Sequence, residues 1–155
     1  MTKISFKQRI IGKIAEYMVA SIDSKPYIAE VKKELKDSRI AFITTAGVHL
    51  KNDKPFDTNG DHSFRIIPGD VDFNDLTITH NHYDKEEALK DINCVFPLEI
   101  LRNLQAEGFI KEVAPRHFGL MGYIPNMDLL INDSAPKIAD ILVKDEVDMV
   151  LLSPG

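Results

Sequence analysis

Thiols are scarce in this chain. A single cysteine, Cys94, occurs among 155 residues, so an internal disulfide framework and a thiolate-rich metal site are both excluded. One isolated cysteine suits a reducing compartment, and we expect the protein to be cytoplasmic. The neighbours Ile92, Val95 and Phe96 are apolar. Cys94 is therefore predicted to be a buried structural thiol and not a nucleophile.

Three further features are missing. The formal net charge is −5 at pH 7, so the chain has no broad basic surface and we expect no nucleic-acid partner. The amino terminus carries several cations, but charges interrupt its apolar residues and leave no signal-type apolar core. No apolar run approaches the roughly 18 residues that a membrane span requires. Neither export nor a membrane segment is expected.

The first residues have a helical pattern. Apolar side chains recur at every fourth position from Phe6 to Met18, which predicts an amphipathic helix that ends before Pro26. We expect this helix to pack on its own domain or across an oligomer, with peripheral membrane contact as the alternative. Residues 1–37 are thus predicted to be a helical extension of one domain over 38–155.

That domain alternates strand and helix patterns. Short apolar runs predict strands at residues 40–45, 64–67, 76–79, 110–114 and 147–152. A helix is predicted from Pro97 to Gly108, and another helical stretch over 129–142 is interrupted or restarted by Pro136. The run at 40–45 is apolar without alternation, as in a central parallel strand covered on both faces. The fold class is therefore α/β, with a mostly parallel sheet flanked by helices.

Histidines come directly after the predicted strands. His49 comes after 40–45, His80 and His82 come after 76–79, and His117 comes after 110–114. In open α/β sheets, functional groups gather where parallel strands end. We therefore expect these histidines to lie together at the carboxyl edge of the sheet.

The spacing of His80, His82 and Asp84 matches the beginning of a known di-metal signature. Lys85 stands where that signature has another histidine, and an ammonium group repels a dication. We therefore expect no bound metal and interpret these histidines as hydrogen-bonding or acid–base groups. A metal-dependent hydrolase that uses His80, His82 and Asp84 remains an alternative function, as does a non-catalytic binding or oligomerisation module.

Arg116 and His117 are adjacent after a predicted strand. The planar guanidinium of Arg116 suits the carboxylate of an amino acid, and His117 is suited to moving protons. The alternative is that Arg116 is paired with an acidic residue of the protein itself. Arg65 has the same two interpretations.

The most specific signal is a series of five blocks in a fixed order. They read ITTAGVHLK at 43–51, GDHSFR at 60–65, THNHYD at 79–84, NCVFP at 93–97 and APRHFG at 114–119. This series resembles the selenoprotein B family of glycine, sarcosine, betaine and D-proline reductases. The resemblance extends over residues 38–155.

The resemblance also implies a nucleophile beyond the last strand. In the family, a strand that ends in a Pro-Gly or Ala-Gly turn leads at once to selenocysteine or cysteine, and here the chain ends on Ser153-Pro154-Gly155. Because UGA is commonly read as stop, we expect this chain to be the amino-terminal portion of a reductase subunit, inactive without its nucleophile. The carboxyl-terminal part of the fold would then be missing, and the last strand would leave apolar groups uncovered or packed on another copy.

By resemblance, the full subunit is an enzyme that reductively cleaves a C–N bond of an amino acid or amine. A pyruvoyl group on a partner subunit would activate the amine, this chain would bind no cofactor itself, and other reductase subunits would complete a homo- or hetero-oligomer. Supporting catalytic roles are expected for His49, His82, Arg116 and His117. Substrate contacts are expected for Gly47, Arg65 and His80. The substrate is left open, although the 93–97 block is nearer to the D-proline branch or to short uncharacterised relatives.

Overall fold

The computed structural model describes residues 29–81 and 83–154, and Val31–Gly155 forms one compact unit. The helix predicted between Phe6 and Met18 lies outside the described residues, as does His82. Within the described part, no helix has the length and apolar character needed to cross a membrane.

The described residues alternate strands and helices. The strands are β1 (Arg39–Thr44), β2 (Val48–Leu50), β3 (Phe64–Pro68), β4 (Leu76–Ile78), β5 (Glu112–Val113), β6 (Arg116–Leu120) and β7 (Met149–Ser153). The helices are α1 (Glu86–Lys90), α2 (Leu98–Ala106), α3 (Met127–Leu129) and α4 (Ala135–Lys144), with a π-helical turn at Leu130–Ser134. Single 3-10 turns occur at Leu35–Asp37, Phe73–Asp75 and Ile92–Cys94.

Strand β1 is the centre of the main sheet. It runs parallel to β5 and β6 on one side and parallel to β7 on the other, while β3 adds an antiparallel strand beyond β6. Strands β2 and β4 form a separate antiparallel pair. The predicted α/β class, with a mostly parallel sheet and flanking helices, is confirmed. The burial of Ile40, Ala41 and Phe42 agrees with the apolar run that identified β1.

Apolar side chains cover both faces of this sheet. On one face, Phe42 packs edge-on against Phe96 with ring centroids 5.4 Å apart, and Leu101 of α2 belongs to the same cluster. On the other face, Phe118 packs with Ile138 of α4. Each fully buried side chain of this size contributes roughly 1.5–3 kcal/mol by leaving water. The helices therefore cover the two faces of the sheet and not the ends of its strands.

The sequence predicted one strand at 110–114, but the structure has two strands here, separated by Pro115. Because proline has no N–H, it cannot continue the ladder of hydrogen bonds. The registers Ile40–Val113 and Ile43–Phe118 show that four residues on this side, 114–117, oppose two of β1, 41–42. The chain thus bulges and then resumes as β6. Arg116 and His117 therefore lie within a strand and not on a turn after one.

Strand β7 has an exposed apolar surface. Leu151 is 44% exposed and Leu152 is 75% exposed, and among the described strands β7 pairs with β1. The expectation of uncovered apolar groups on the last strand agrees with these exposures. Large exposed side chains on an edge strand are typical of surfaces that contact other polypeptide.

Gly119 permits β2 to cross β6. A Cβ atom at this position would collide with the backbone oxygen of Val48, which cannot turn away as a flexible side chain can. We expect Gly119→Ala to lower the free energy of unfolding by about 3 kcal/mol through this overpacking. Gly108→Ala is the matched control, because Gly108 has a φ of 75° but open space around it, so its cost is the backbone strain of about 1 kcal/mol. Urea unfolding of both variants tests this, and equal losses would contradict it.

Candidate functional site at the carboxyl edge of the sheet

The parallel strands are joined to one another where they end. The N–H of Thr45, just after β1, donates to the carbonyl of Ser153 in β7 at 3.0 Å. The N–H of Gly47 donates to the carbonyl of Leu120 in β6 at 2.8 Å. The turn after β1 is therefore hydrogen-bonded to both neighbouring strands. Groups carried by this turn have a fixed position relative to the ends of β6 and β7.

Gly47 also brings the loop after β4 to this edge. Its φ is 76°, a conformation that glycine adopts without strain, and any Cβ here would overlap the carbonyl of Thr79. In return, the N–H of Thr79 donates to the carbonyl of Gly47 at 2.9 Å. Backbone contact this close explains why glycine occupies the position. The loop that begins at Thr79 thus packs directly on the strand ends.

His80 and Tyr83 belong to that loop and are packed together. The His80 side chain is nearly buried, and its ring centroid lies 4.6 Å from that of Tyr83. The hydroxyl of Tyr83 donates to the carbonyl of Ala46 at 3.0 Å. Burial raises the pKa of Tyr83, so its hydroxyl stays protonated and remains a donor. Tyr83 therefore links His80 to the turn after β1.

Gly122 gives His80 room beside the end of β6. With a φ of 87°, Gly122 has no side chain, and a Cβ there would lie 3.4 Å from Nε2 of His80 and 2.5 Å from the carbonyl oxygen of Thr45. These distances place the tip of the His80 ring between the ends of β1 and β6. The carboxyl edge thus combines a buried imidazole with closely packed backbone.

His49 supports the same loop from β2. Its side chain is buried, with Nδ1 2.7 Å from the carbonyl of Leu50 and Nε2 2.7 Å from the hydroxyl of Thr79. Because a carbonyl can only accept, Nδ1 donates to Leu50, and Nε2 is hydrogen-bonded to the hydroxyl of Thr79. The ring also packs edge-on against Phe56. Both ring nitrogens of His49 are therefore used to hold the β2–β4 pair and its loop.

Arg116 and His117 lie elsewhere. The guanidinium of Arg116 binds both carboxylate oxygens of Asp145, which precedes β7 at the amino end of the sheet. His117 is fully buried, and its Nδ1 accepts from the N–H of Phe42 at 2.9 Å. The structure therefore brings His49 and His80 to the region of the strand ends but leaves Arg116 and His117 apart from it. The alternative that Arg116 is paired within the protein agrees with this contact.

Arg65 is also engaged by its surroundings. Its Nε donates to the carbonyl of Lys54 at 2.9 Å, and Nη1 donates to the hydroxyl of Ser63 at 2.8 Å. The guanidinium lies over the ring of Phe56, 4.4 Å from its centroid. Asp61 adds an ion pair at 3.8 Å. These contacts hold the loop before β3. Arg65 therefore has a structural role in the folded chain.

Cys94 is exposed on the 3-10 turn Ile92–Cys94, so the prediction of a buried thiol was wrong. The turn is short and is capped by Asp91, whose carboxylate accepts from the N–H of Asn93. Ile92 and Phe96 face the core, and Cys94 points to solvent between them. Apolar neighbours in sequence therefore did not determine the direction of this side chain.

The described residues offer no metal centre, because 29–81 and 83–154 contain no group of three His, Cys, Asp or Glu side chains able to hold an ion. Asp84 instead accepts from the N–H of Glu86 at the beginning of α1. Sequence patterns alone did not indicate a role for Tyr83, Gly122 or Thr45. Tyr83 stands inside the THNHYD block, which was the available signal for it.

Two kinds of comparison identify the family of this open-sheet α/β protein. Residues 11–154 match the glycine/sarcosine/betaine reductase selenoprotein B family. The D-proline reductase subunit gamma of Acetoanaerobium sticklandii is 46% identical over 134 residues, which cover 86% of this chain and 55% of the relative. The glycine reductase complex component B subunit gamma of Symbiobacterium thermophilum is 31% identical over 147 residues, covering 89% and 33%. The chain belongs to the selenoprotein B family.

A third relative is the sarcosine reductase complex component B subunit beta of Peptoclostridium acidaminophilum. It is 30% identical over 105 residues, which cover 64% of this chain and 24% of the relative. The chain thus spans about half the length, or less, of the curated relatives it matches. No solved structure matches the chain.

The buried imidazole of His117 makes stability depend on pH. Burial, with a smaller effect from the charge of Arg102, lowers the pKa of His117 from 6.5 to about 4, and Nε2 has no hydrogen-bond partner among the described residues. Between pH 6.5 and 4, the unfolded chain therefore binds a proton at His117, whereas the folded chain does not. His117 should therefore leave the free energy of unfolding unchanged above pH 6.5. As the pH drops towards 4, it should lower that free energy by up to roughly 3 kcal/mol.

His117→Asn tests this assignment, because its amide oxygen can accept from Phe42 N–H in place of Nδ1 and does not titrate. We expect the variant to be less stable than the native chain at pH 7, since a cavity replaces part of the ring. Its free energy of unfolding should nevertheless change less between pH 6.5 and 4. Denaturant unfolding at several pH values measures both slopes, and identical slopes would refute the role of His117.

Proposed function

We propose that this chain is part of a reductase subunit that cleaves a C–N bond of an amino acid or amine. In this proposal, a selenolate or thiolate comes directly after Gly155, at the turn beyond β7. The observation that carries the proposal is the convergence at the carboxyl edge, where Thr45 binds Ser153 and His80 lies beside the ends of β1 and β6. Membership of the selenoprotein B family supports it.

The proposed reaction takes place at this edge in two displacements. The anionic selenium or sulfur attacks the substrate carbon next to nitrogen, a chalcogen–carbon bond forms, and the nitrogen leaves with the bonding electron pair and takes a proton. A second thiol then attacks the chalcogen, and the carbon leaves with an electron pair and takes another proton. The thiol and the chalcogen end as an oxidised pair, which a dithiol reduces again. Two protons are therefore required near the turn.

The residues of the edge are suited to supplying those protons. His80 is proposed to carry a proton beside the turn, with Tyr83 packed against its ring, and His49 and His82 are proposed to assist it. The substrate contact proposed for Gly47 draws no support from its surroundings, because the carbonyl of Thr79 fills the space beside it. The proposed roles of Arg65, Arg116 and His117 at the substrate draw no support from their contacts, which are internal.

The substrate class and partners belong to the same proposal. The relative named D-proline reductase subunit gamma shares 46% identity, compared with 31% and 30% for the glycine and sarcosine relatives. We therefore propose a cyclic or secondary amine of the D-proline class as the first substrate to test. A pyruvoyl carbonyl on a partner subunit would activate the amine as an electron sink. Other subunits of the reductase complex are the proposed partners.

A side-by-side assay tests the function. One protein is the chain to Gly155, and the other is extended through the downstream codons with cysteine or selenocysteine at the next position. With partner subunits and a dithiol, only the extended form should consume D-proline, glycine, sarcosine or betaine. Cysteine should be slower than selenocysteine, because less of it is ionised at neutral pH and it leaves less readily.

Cys94→Ser serves as the control in both proteins, since Cys94 is exposed and lies well before the proposed nucleophile. Turnover by the shorter form that disappears with Cys94→Ser would place the catalytic thiol elsewhere and overturn the proposal. So would a TAA or TAG codon directly after Gly155. Stoichiometric zinc, iron or manganese in the purified protein would instead favour the metal-dependent hydrolase.

A further inference from the structure

We propose that a cleft between α1, α2 and the 3-10 turn Phe73–Asp75 binds a small amino acid as its zwitterion. The cleft has a volume of about 330 Å³, which is sufficient for such a ligand. Leu76, the first residue of β4, lines it, whereas His80 follows the other end of that strand. The cleft is therefore separate from the carboxyl edge, and its role does not depend on the proposed reaction. Its charged members are Lys51, Lys90, Asp91 and Glu99.

Two carboxylates of the cleft converge on one amide group. The Nδ2 atom of Asn93 donates to Oδ1 of Asp91 at 3.1 Å and to Oε2 of Glu99 at 3.0 Å. One NH2 group therefore holds two negative charges close together. Within residues 29–81 and 83–154, neither carboxylate forms an ion pair. Two anions that are held together without a counter-charge attract a cation.

Lys51 brings a positive charge to the same cleft. It follows β2, and its backbone N–H donates to the carbonyl of Asp75 at 2.8 Å, which fixes the position of its main chain. Its ammonium group has no ion-pair partner among the described residues, whereas that of Lys90 is bound by Glu87 at 2.6 Å. In the described part of the cleft, Lys51 is therefore the cation that remains available to a carboxylate.

The two signs of charge select the ligand. A simple amine would be attracted by Asp91 and Glu99 but repelled by Lys51, and a simple carboxylate would meet the reverse. A zwitterion satisfies both, with its ammonium at the acidic pair and its carboxylate at Lys51. Leu89 is 48% exposed and lines the cleft together with Phe73, so an aliphatic side chain would make apolar contacts there. The ligand class is therefore a small aliphatic amino acid.

The amide oxygen of Asn93 supports an ammonium ligand at this place. Oδ1 is buried and has no hydrogen-bond partner in the described part of the chain. Because Nδ2 is held by two carboxylates, the amide cannot turn over to exchange its oxygen for its nitrogen. An unpaired buried acceptor is destabilising. An ammonium group bound at Asp91 and Glu99 would lie next to this amide and supply the missing donor.

Binding of proline and of two ring analogues tests the inference. Pyrrolidine has the ammonium without the carboxylate, and 2-tetrahydrofuroate has the carboxylate without the ammonium. Isothermal titration calorimetry of the chain should give a dissociation constant of about 1 mM or lower for proline. Each analogue should bind at least about tenfold more weakly, because it loses one ion pair and is repelled by the charge left unpaired in the cleft.

Variants locate the binding site. Lys51→Met should remove the advantage of proline over pyrrolidine but keep its advantage over tetrahydrofuroate, because only the contact with the carboxylate is lost. Glu99→Gln should do the opposite and still accept from Asn93. Lys54→Met and Glu107→Gln are the matched controls, since they remove the same charges from residues that do not line the cleft. Neither control should change either ratio.

Proline that binds no more tightly than either analogue, or that does not saturate the chain at about 10 mM, overturns the inference. An equal effect of Lys54→Met and Lys51→Met also overturns it. So does binding that Lys51→Met and Glu99→Gln leave unchanged, because the ligand then occupies another place. A Lys51-dependent proline site without reductase activity in the extended complex would leave this inference intact and refute the proposed function. Activity without such a site would do the reverse.

Discussion

The turn that leaves β1 is the constraint on which the site depends. Its backbone donates from Thr45 to β7 and from Gly47 to β6, and it accepts from Thr79 of the β2–β4 pair. One segment of three residues therefore fixes the relative positions of two parallel strands and a separate antiparallel pair. Because Gly47 has a positive φ and its Cβ would overlap Thr79, this arrangement is possible only with glycine at that position.

Three histidines of the described residues are buried, and each has different contacts. His117 lies inside the sheet, where its neutral ring accepts from Phe42 N–H and resists protonation. His49 divides its two nitrogens between Leu50 and Thr79. His80 is at the strand ends, next to glycine and a tyrosine ring. The sequence predicted all three to follow strands, but the structure places His117 within β6 and His80 beyond the strand ends.

The sequence predicted much of the fold, because apolar runs without alternation and a helix bounded by Pro97 and Gly108 are strong local signals. It did not predict β6, since Pro115 resembles a turn and only the pairing with β1 restores a strand after it. The predicted burial of Cys94 was wrong because a single 3-10 turn decides which way each side chain points. The part of the site made by Tyr83 and Gly122 depends on contacts between distant segments, which no local pattern contains.

Placing a reactive group at the end of a parallel strand has a physical advantage. Catalytic side chains must be held within about half an ångström of their productive positions, and strands or helices hold them more precisely than loops do. Here β1 is hydrogen-bonded on both sides, so Thr45 and Ala46 cannot move without breaking the sheet. Tyr83 then ties the His80 loop to Ala46. The packing of the core and these hydrogen bonds therefore hold the His80 ring in a fixed position beside the ends of β1 and β6.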